Sequence, residues 1–240
     1  MQNRYVNISV FNCEWRTSTS ADAAVIREKV LRPETDVICL TEAYSDFFGD
    51  DGFTIECTPD YGYPIIEGRR KVMLWSRNPW TFVDNEVDQR LPSGRIVVGQ
   101  TSTPIGDTTV MGVCIPWANA HVRTGRRDRN LWEDHITYLQ ALGDNVSGLA
   151  GNSIVLGDFN QRIPRKYQTK QAYDALEEAI LSKMDLATAG QIAPIGKQSI
   201  DHVCFGRDLA CEDVRGLSNL SESGRQISDH FGVKVTLRAA

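Results

Sequence analysis

"SIVLGDFN", residues 153–160, is an aliphatic run that stops on Gly157, Asp158, Phe159 and Asn160. Its length and its Gly-Asp boundary predict a strand with a carboxylate where the strand ends. The pattern recurs. "ISVFN" (8–12) ends in Asn12, and "VICLTE" (37–42) ends in Glu42. Two later runs begin with acids: "SIDHVCF" (199–205) carries Asp201, and "ISDHFGV" (227–233) carries Asp229 and His230. In a mixed sheet, the C-terminal ends of some strands share an edge with the N-terminal ends of their antiparallel neighbours. These polar residues can therefore converge.

Each residue alone has an ordinary structural reading. Gly-Asp-Asn is common turn chemistry, a glutamate after a strand can be the first solvated residue, and a histidine can be held by structural hydrogen bonds. Five strand ends carrying Asp, Glu, Asn or His are a stronger signal together than any one of them.

Further short β-branched and apolar runs, such as "KVMLWS", "RIVVGQT" and "TTVMGVCIP", extend the strand pattern over most of the chain. Three stretches break it with helical spacing. Residues 21–31 stop before Pro33; residues 127–143 place Leu131, Trp132, Ile136, Leu139 and Leu142 on one stripe and end at Gly143; residues 168–184 form a third amphipathic segment. Many strands with few helices predict sheets covered by helices, an α+β or α/β layered domain. With 240 residues, 41% hydrophobic and 24% charged, and no repeat or low-complexity linker, the chain is read as one domain over 1–240.

The net charge of −5 argues against a surface that grips nucleic acid everywhere, so an anionic substrate needs local basic groups. Arg123, Arg126, Arg127 and Arg129 form one such run; Arg162, Arg165 and Lys166 form another. The six cysteines are isolated and several sit in apolar runs, which predicts buried free thiols rather than zinc or disulfides. No stretch approaches a membrane span or a signal peptide, and the expectation is a soluble, cytoplasmic protein with no membrane partner.

The residues resemble the endonuclease/exonuclease/phosphatase superfamily, which includes deoxyribonuclease I-like and apurinic-endonuclease-like enzymes. The resemblance rests on "FNCEW", "LTEAY", "LPSGRIVV", "CIPWANAH", "LGDFNQR", "SIDHVCF" and "SDHFGV", in that order along nearly the whole chain. "GDFN" and "SDH" are its most specific parts. It implies a four-layer α/β sandwich, two mixed sheets face to face with helices outside, and divalent-metal-dependent cleavage of phosphate esters.

By resemblance, Glu42 and Asp229 are metal ligands, with Asn12 as ligand or orienter. Asp158 is the base that orients the attacking water, Asn160 fixes that aspartate or the phosphate, and His230, paired with Asp201, donates hydrogen bonds to the phosphate. Oxygen donors suit Mg²⁺, with Mn²⁺ as an alternative. Glu14 has two readings, a second-metal ligand or a solvated acid. Where several relatives place a Tyr or His at the phosphate, this chain offers Cys114, Trp117 and His121, of which His121 is favoured for chemistry. The expected substrate is nucleic acid, DNA or RNA; the alternative is a small phosphoester such as an inositol phosphate, nucleotide or lipid headgroup.

Overall fold

The computed structural model describes residues 5–85 and 88–240. The chain begins β1 (Tyr5–Asn12), α1 (Ala21–Val30), β2 (Val37–Tyr44), β3 (Phe53–Glu56), β4 (Arg69–Ser76), β5 (Trp80–Asp84), β6 (Ile96–Thr103) and β7 (Gly106–Cys114). It continues α2 (Glu133–Ser147), β8 (Ser153–Asp158), α3 (Lys170–Leu176), β9 (Asp185–Leu186), β10 (Gln191–Ile192), β11 (Lys197–Gln198), β12 (Asp201–Phe205), β13 (Leu209–Leu217) and β14 (Gly232–Ala239).

Side chains alternate across a strand, so a strand apolar at successive positions must be covered on both faces. In β1, Val6, Ile8 and Val10 face the core between two sheets, while Phe11 faces outward. Val37 and Cys39 of β2 face inward, and Ile38 and Leu40 outward. The same alternation runs through β4 and β8. Among the described residues it builds two six-stranded sheets, ordered β13-β14-β1-β2-β4-β3 and β5-β6-β7-β8-β12-β9. Each is mixed: β1–β2 and β7–β8 are parallel, and the other pairs antiparallel.

Helix α1 covers the outer face of the first sheet with Ala23, Ile26 and Val30. Tyr138, Leu139, Leu142 and Val146 of α2, with Leu176 and Ile180, cover the second. The result is the four-layer sandwich that the resemblance implied.

The second expected helix begins later and ends later than its apolar spacing suggested. Arg127 and Trp132 take left-handed backbone, with φ of 60° and 69°, which no continuous right-handed helix tolerates. Leu131 is accordingly exposed rather than on the buried stripe. Gly143 lies inside α2 against Ala179, and the helix closes at Gly148. The third segment holds as α3 and a wider turn at Glu177–Leu181. Five cysteines are buried and free as expected, but Cys211 is exposed. No described helix is long and apolar enough to cross a membrane.

Candidate active site

The two-residue period that builds the core also builds the site. Asn12 follows Val10 on the inward row of β1, Asp158 follows Leu156 on β8, and Asp201 precedes Val203 on β12. Three polar side chains thus end the apolar rows between the sheets, each at most 2% exposed. Asp158 and Asp201 are direct cross-strand partners. The close pairing of β8 with β7 depends on Gly157, whose φ of +133° and closeness to the Val113 carbonyl leave no room for a Cβ.

Glu42 reaches the site by another route. Leu40 and Ala43 both belong to the outer apolar cluster although they are three residues apart, so the alternation breaks between them. The break is Glu42, which takes φ +52°. Left-handed backbone at a non-glycine residue is strained, and here it turns a carboxylate toward the inter-sheet cleft.

Asp158 is held by the end of β1 and by the loop that follows β8. Asn12 Nδ2 donates to its Oδ2 at 3.3 Å, and Asn160 donates through its backbone N–H to Oδ1 at 2.9 Å and through Nδ2 to Oδ2 at 3.1 Å. Burial pushes its carboxyl up to about 7, with the charges of Asp201 and Glu42 adding to the rise and His230 opposing it. A carboxylate that titrates near neutrality is suited to general-base work.

His230 is placed by Ser228, whose Oγ donates to the Asn12 carbonyl at 2.7 Å and accepts the His230 N–H at 3.2 Å. Its Nδ1 pairs with Asp201 Oδ2 at 2.7 Å, while the nearest charged partner of Nε2 is Asp229 at 3.9 Å. Burial alone would lower the imidazole, but Asp201, with Asp158 and Asp229, outweighs it and raises the group to about 10. His230 is a cation at neutral pH with one N–H left for a ligand.

One cleft of about 190 Å³ is lined by Asn12, Glu42, Asp158, Asn160, Asp229 and His230, joined by Lys71, Arg95, Cys114 and Trp117. Glu42 and Asp229 present hard oxygen donors of the kind that hold divalent cations. The Lys71 ammonium sits 2.5 Å from Glu42 Oε1, so a cation already pairs with that carboxylate. Asp229 is 61% exposed at its side chain and free to turn toward a cation. Asn12 is engaged at both ends of its amide, accepting from Glu14 N at 2.8 Å and donating to Asp158, which makes it an orienter of that aspartate. Asp158, Asp201 and His230 also offer ligand atoms within 4.8 Å of one another. His230 Nδ1 is committed to Asp201 Oδ2, so this trio is better described as a hydrogen-bonded pair beside Asp158 than as a cation cage.

His121 is the residue the structure removes from the proposed chemistry. It is buried, with Nδ1 on Asp134 Oδ2 and Nε2 on the Gly62 carbonyl, both at 2.6 Å, and its ring stacks on Tyr63. Neither nitrogen is available to a phosphate. Glu14 instead pairs with Arg16 at 2.9 Å and accepts the Asp229 N–H. The Arg123–Arg129 run is partly neutralised, Arg126 by Asp128 and Arg129 by Asp134 and Glu133.

Two cleft cations escaped the sequence reading. Lys71 is the third residue of β4 and pairs with Glu42, and Arg95 lies within "LPSGRIVV" just before β6. Arg95 is 3% exposed, donates to the Cys114 carbonyl at 3.2 Å and makes no ion pair among the described residues. Cys114, at the end of β7, is a neutral thiol pushed by burial up to about 12, so the cations beside it are the stronger anion ligands.

The model of the endonuclease/exonuclease/phosphatase family matches residues 9–230. The chain belongs to that family. Its members are metal-dependent phosphoesterases and nucleases, and this chain is an enzyme of that kind. No curated protein matches it in sequence. Among solved structures it is similar to Danio rerio TDP2 complexed with a single-strand DNA product, at 11% identity and TM-score 0.68, covering 98% of this chain and 99% of that one. It is similar to the 3′ phosphatase NExo from Neisseria bound to a product DNA hairpin, at 15% identity and TM-score 0.67, covering 96% and 98%. Sphingomyelinase C from Streptomyces griseocarneus is also similar, at 11% identity and TM-score 0.61, covering 97% and 99%. At these identities the structural likenesses speak for the fold.

Proposed function

We propose that this family phosphoesterase is a Mg²⁺-dependent phosphodiesterase that cleaves nucleic acid, DNA or RNA. The observation that carries the reading is the shape of the ground around the cleft. On one side, Lys71, Arg95 and Trp117 are shared with a larger aromatic hollow. On the other, Asp229 and His230 are shared with a hollow lined by Arg162, Gln198 and Phe231. Adjoining hollows on both sides of the cleft, each with cations in its lining, suit a chain of phosphates better than a single small ester.

In this reading Asp158 accepts the proton of the attacking water, held in position by Asn12 and Asn160. His230, kept cationic by Asp201, donates from Nε2 to a phosphate oxygen, and Arg95 adds charge where the phosphoryl oxygens become more negative. Glu42 and Asp229 would hold Mg²⁺, which when bound supplies Lewis-acid stabilisation of the phosphoryl group.

A small phosphoester is the second reading, favoured by the modest volume of the central cleft and by the internal pairing of the Arg123–Arg129 loop. Hydrolysis is to be measured with Mg²⁺ and with chelator on single- and double-stranded DNA, an abasic duplex, RNA, and small phosphate mono- and diesters, with Asp158→Ala in parallel. Mg²⁺-dependent polynucleotide cleavage, lowered by about 10²–10⁴ in the variant, is expected. Turnover of small esters alone would replace the first reading by the second.

A further inference from the structure

Beside the cleft lies a hollow of about 440 Å³ whose walls differ from the rest of the site. Trp15, Tyr61, Tyr63 and Trp117 contribute aromatic surface, and Arg69, Lys71 and Arg95 contribute charge. Trp15 and Tyr61 are stacked, with centroids 5.7 Å apart, and Tyr61 leads on to Tyr63 at 6.1 Å. Arg69 lies 4.8 Å from the Trp15 ring, and Lys71 lies 5.1 Å from Trp15 and 5.5 Å from Tyr61. This side of the hollow is therefore a braced wall of rings and cations. Trp117 differs: it is 44% exposed and makes no ring contact with another described residue. A large indole exposed at the border of two hollows leaves an apolar face in solvent.

Neither backbone nor catalysis explains that exposure. The aromatic hollow shares Lys71, Arg95 and Trp117 with the cleft that holds Asp158 and His230. A group docked in it thus shares a border of three residues with the cleft proposed to hold the phosphate. The occupant must be flat, to use ring faces, and attached to an anion, to use Lys71 and Arg95 at the shared border. A nucleobase on a nucleotide unit meets both conditions; an aliphatic chain would use the apolar area without the ring faces or cations.

We propose that the hollow bordered by Trp117, Tyr61, Tyr63 and Trp15 is a base-binding subsite, in which Trp117 stacks on the nucleobase of the nucleotide adjoining the scissile phosphate. The proposal rests on the nucleic-acid reading above and adds to it a requirement. The enzyme discriminates between a base-bearing and a base-less neighbour of the bond it cuts. Tyr61, Tyr63 and Trp15 hold the far wall in place, and Arg69 and Lys71 brace Trp15.

The test uses two oligonucleotides that differ only in whether the unit adjoining the cleaved phosphate carries a base or a tetrahydrofuran abasic analogue. Trp117→Ala is expected to raise KM about tenfold on the base-bearing strand and to leave the abasic strand nearly unchanged, with Trp117→Phe restoring most of the loss. Phe82→Ala, which removes an exposed ring of β5 that lines none of the three hollows, is the control and should change neither. Equal effects of Trp117→Ala on both strands would overturn the subsite. A second measurement separates this failure from failure of the nuclease reading. In the Asp158→Asn variant, adenosine 5′-monophosphate should quench tryptophan fluorescence and ribose 5-phosphate should not, and the difference should vanish when Trp117→Ala is added. If no polynucleotide is cleaved but that difference is seen, the nuclease reading falls and the base-binding site stands. Identical behaviour of the two phosphates would overturn the site whatever the activity.

Discussion

Two histidines in this molecule make the same bond and play different parts. His121 and His230 each set Nδ1 against an aspartate, Asp134 at 2.6 Å and Asp201 at 2.7 Å. The second nitrogen separates them. His121 spends Nε2 on the Gly62 carbonyl, so the ring is a strut between two loops. The Nε2 of His230 faces the cleft with only Asp229, at 3.9 Å, for a charged partner. An Asp-His pair becomes chemistry only where its other nitrogen is left for a substrate.

The largest test of that contrast is rate. His230→Ala should lower kcat by about 10²–10⁴ with Mg²⁺ saturating and the protein folded. Steady-state kinetics beside circular dichroism would check it; a folded variant within threefold of wild type would remove His230 from the reaction.

Stability against pH extends the comparison to the remaining two histidines. His135 donates from Nδ1 to the Pro116 carbonyl and accepts at Nε2 from Gln161, while His202 donates from Nε2 to the Gln161 carbonyl and accepts at Nδ1 from Thr188. These partner sets hold both rings neutral, and burial lowers both to about 4. The unfolded chain takes up protons below about 6.5 and the folded chain resists until about 4. Their stabilisation is therefore full above 6.5 and lost as pH falls, by roughly 2 kcal/mol each at pH 5. His230 has the opposite sign: its folded value lies above the unfolded one, so its contribution is full below about 6.5 and lost as pH rises toward about 10. Urea unfolding should show the His230 loss between pH 7.5 and 9.5. Between 7.5 and 5 the gains from His230 and from Asp158, whose folded value is about 7, offset the two buried histidines, so their share is read against His202→Gln: wild type should fare worse than the variant over that interval by roughly 2 kcal/mol, and equal changes in the two proteins would contradict the neutral assignment of His202.

What could be read from sequence divides along the range of the interactions. Asn12, Asp158 and Asp201 were legible because the two-residue period that buries Val10, Leu156 and Val203 also carries the next polar residue to the same side. Such patterning is local, and so were the strand runs that made the sandwich readable. Lys71 and Arg95 were not legible, because each enters the cleft from a strand or turn distant in the chain, and a cation at a strand's start usually meets solvent. The break in alternation at Glu42 needs the register with β4 to be seen. The start of α2 was misplaced because left-handed backbone at Trp132 leaves no mark in apolar spacing. His121 was misread because its second partner, Gly62, lies 59 residues earlier.

A finer test concerns why His230 stays charged. With Asp201→Asn the carboxylate that outweighs burial is gone, and the imidazole should titrate well below its value of about 10. Wild type should keep its kcat from pH 7 to 9, with Asp158 ionised above about 7 and His230 still protonated. Asp201→Asn should lose about tenfold more between those pH values than wild type does. Parallel profiles would mean that Asp201 only holds the ring.

The smallest effect on rate belongs to the other pair. His121→Ala removes two hydrogen bonds and the stack on Tyr63, yet Asp134 keeps Arg129 at 2.7 Å, so the loop retains one anchor. The Gly62 carbonyl loses its partner, a cost of about 1–3 kcal/mol, and Tm should fall by roughly 3–10 °C. Because neither nitrogen of His121 faces the cleft, kcat on the folded fraction should stay within about twofold. KM can move if Tyr63 shifts, since that ring borders both the strut and the aromatic hollow. A loss of kcat comparable to that of His230→Ala, with Tm unchanged, would mean that the two pairs are equivalent after all and that His121 turns toward the phosphate when substrate binds.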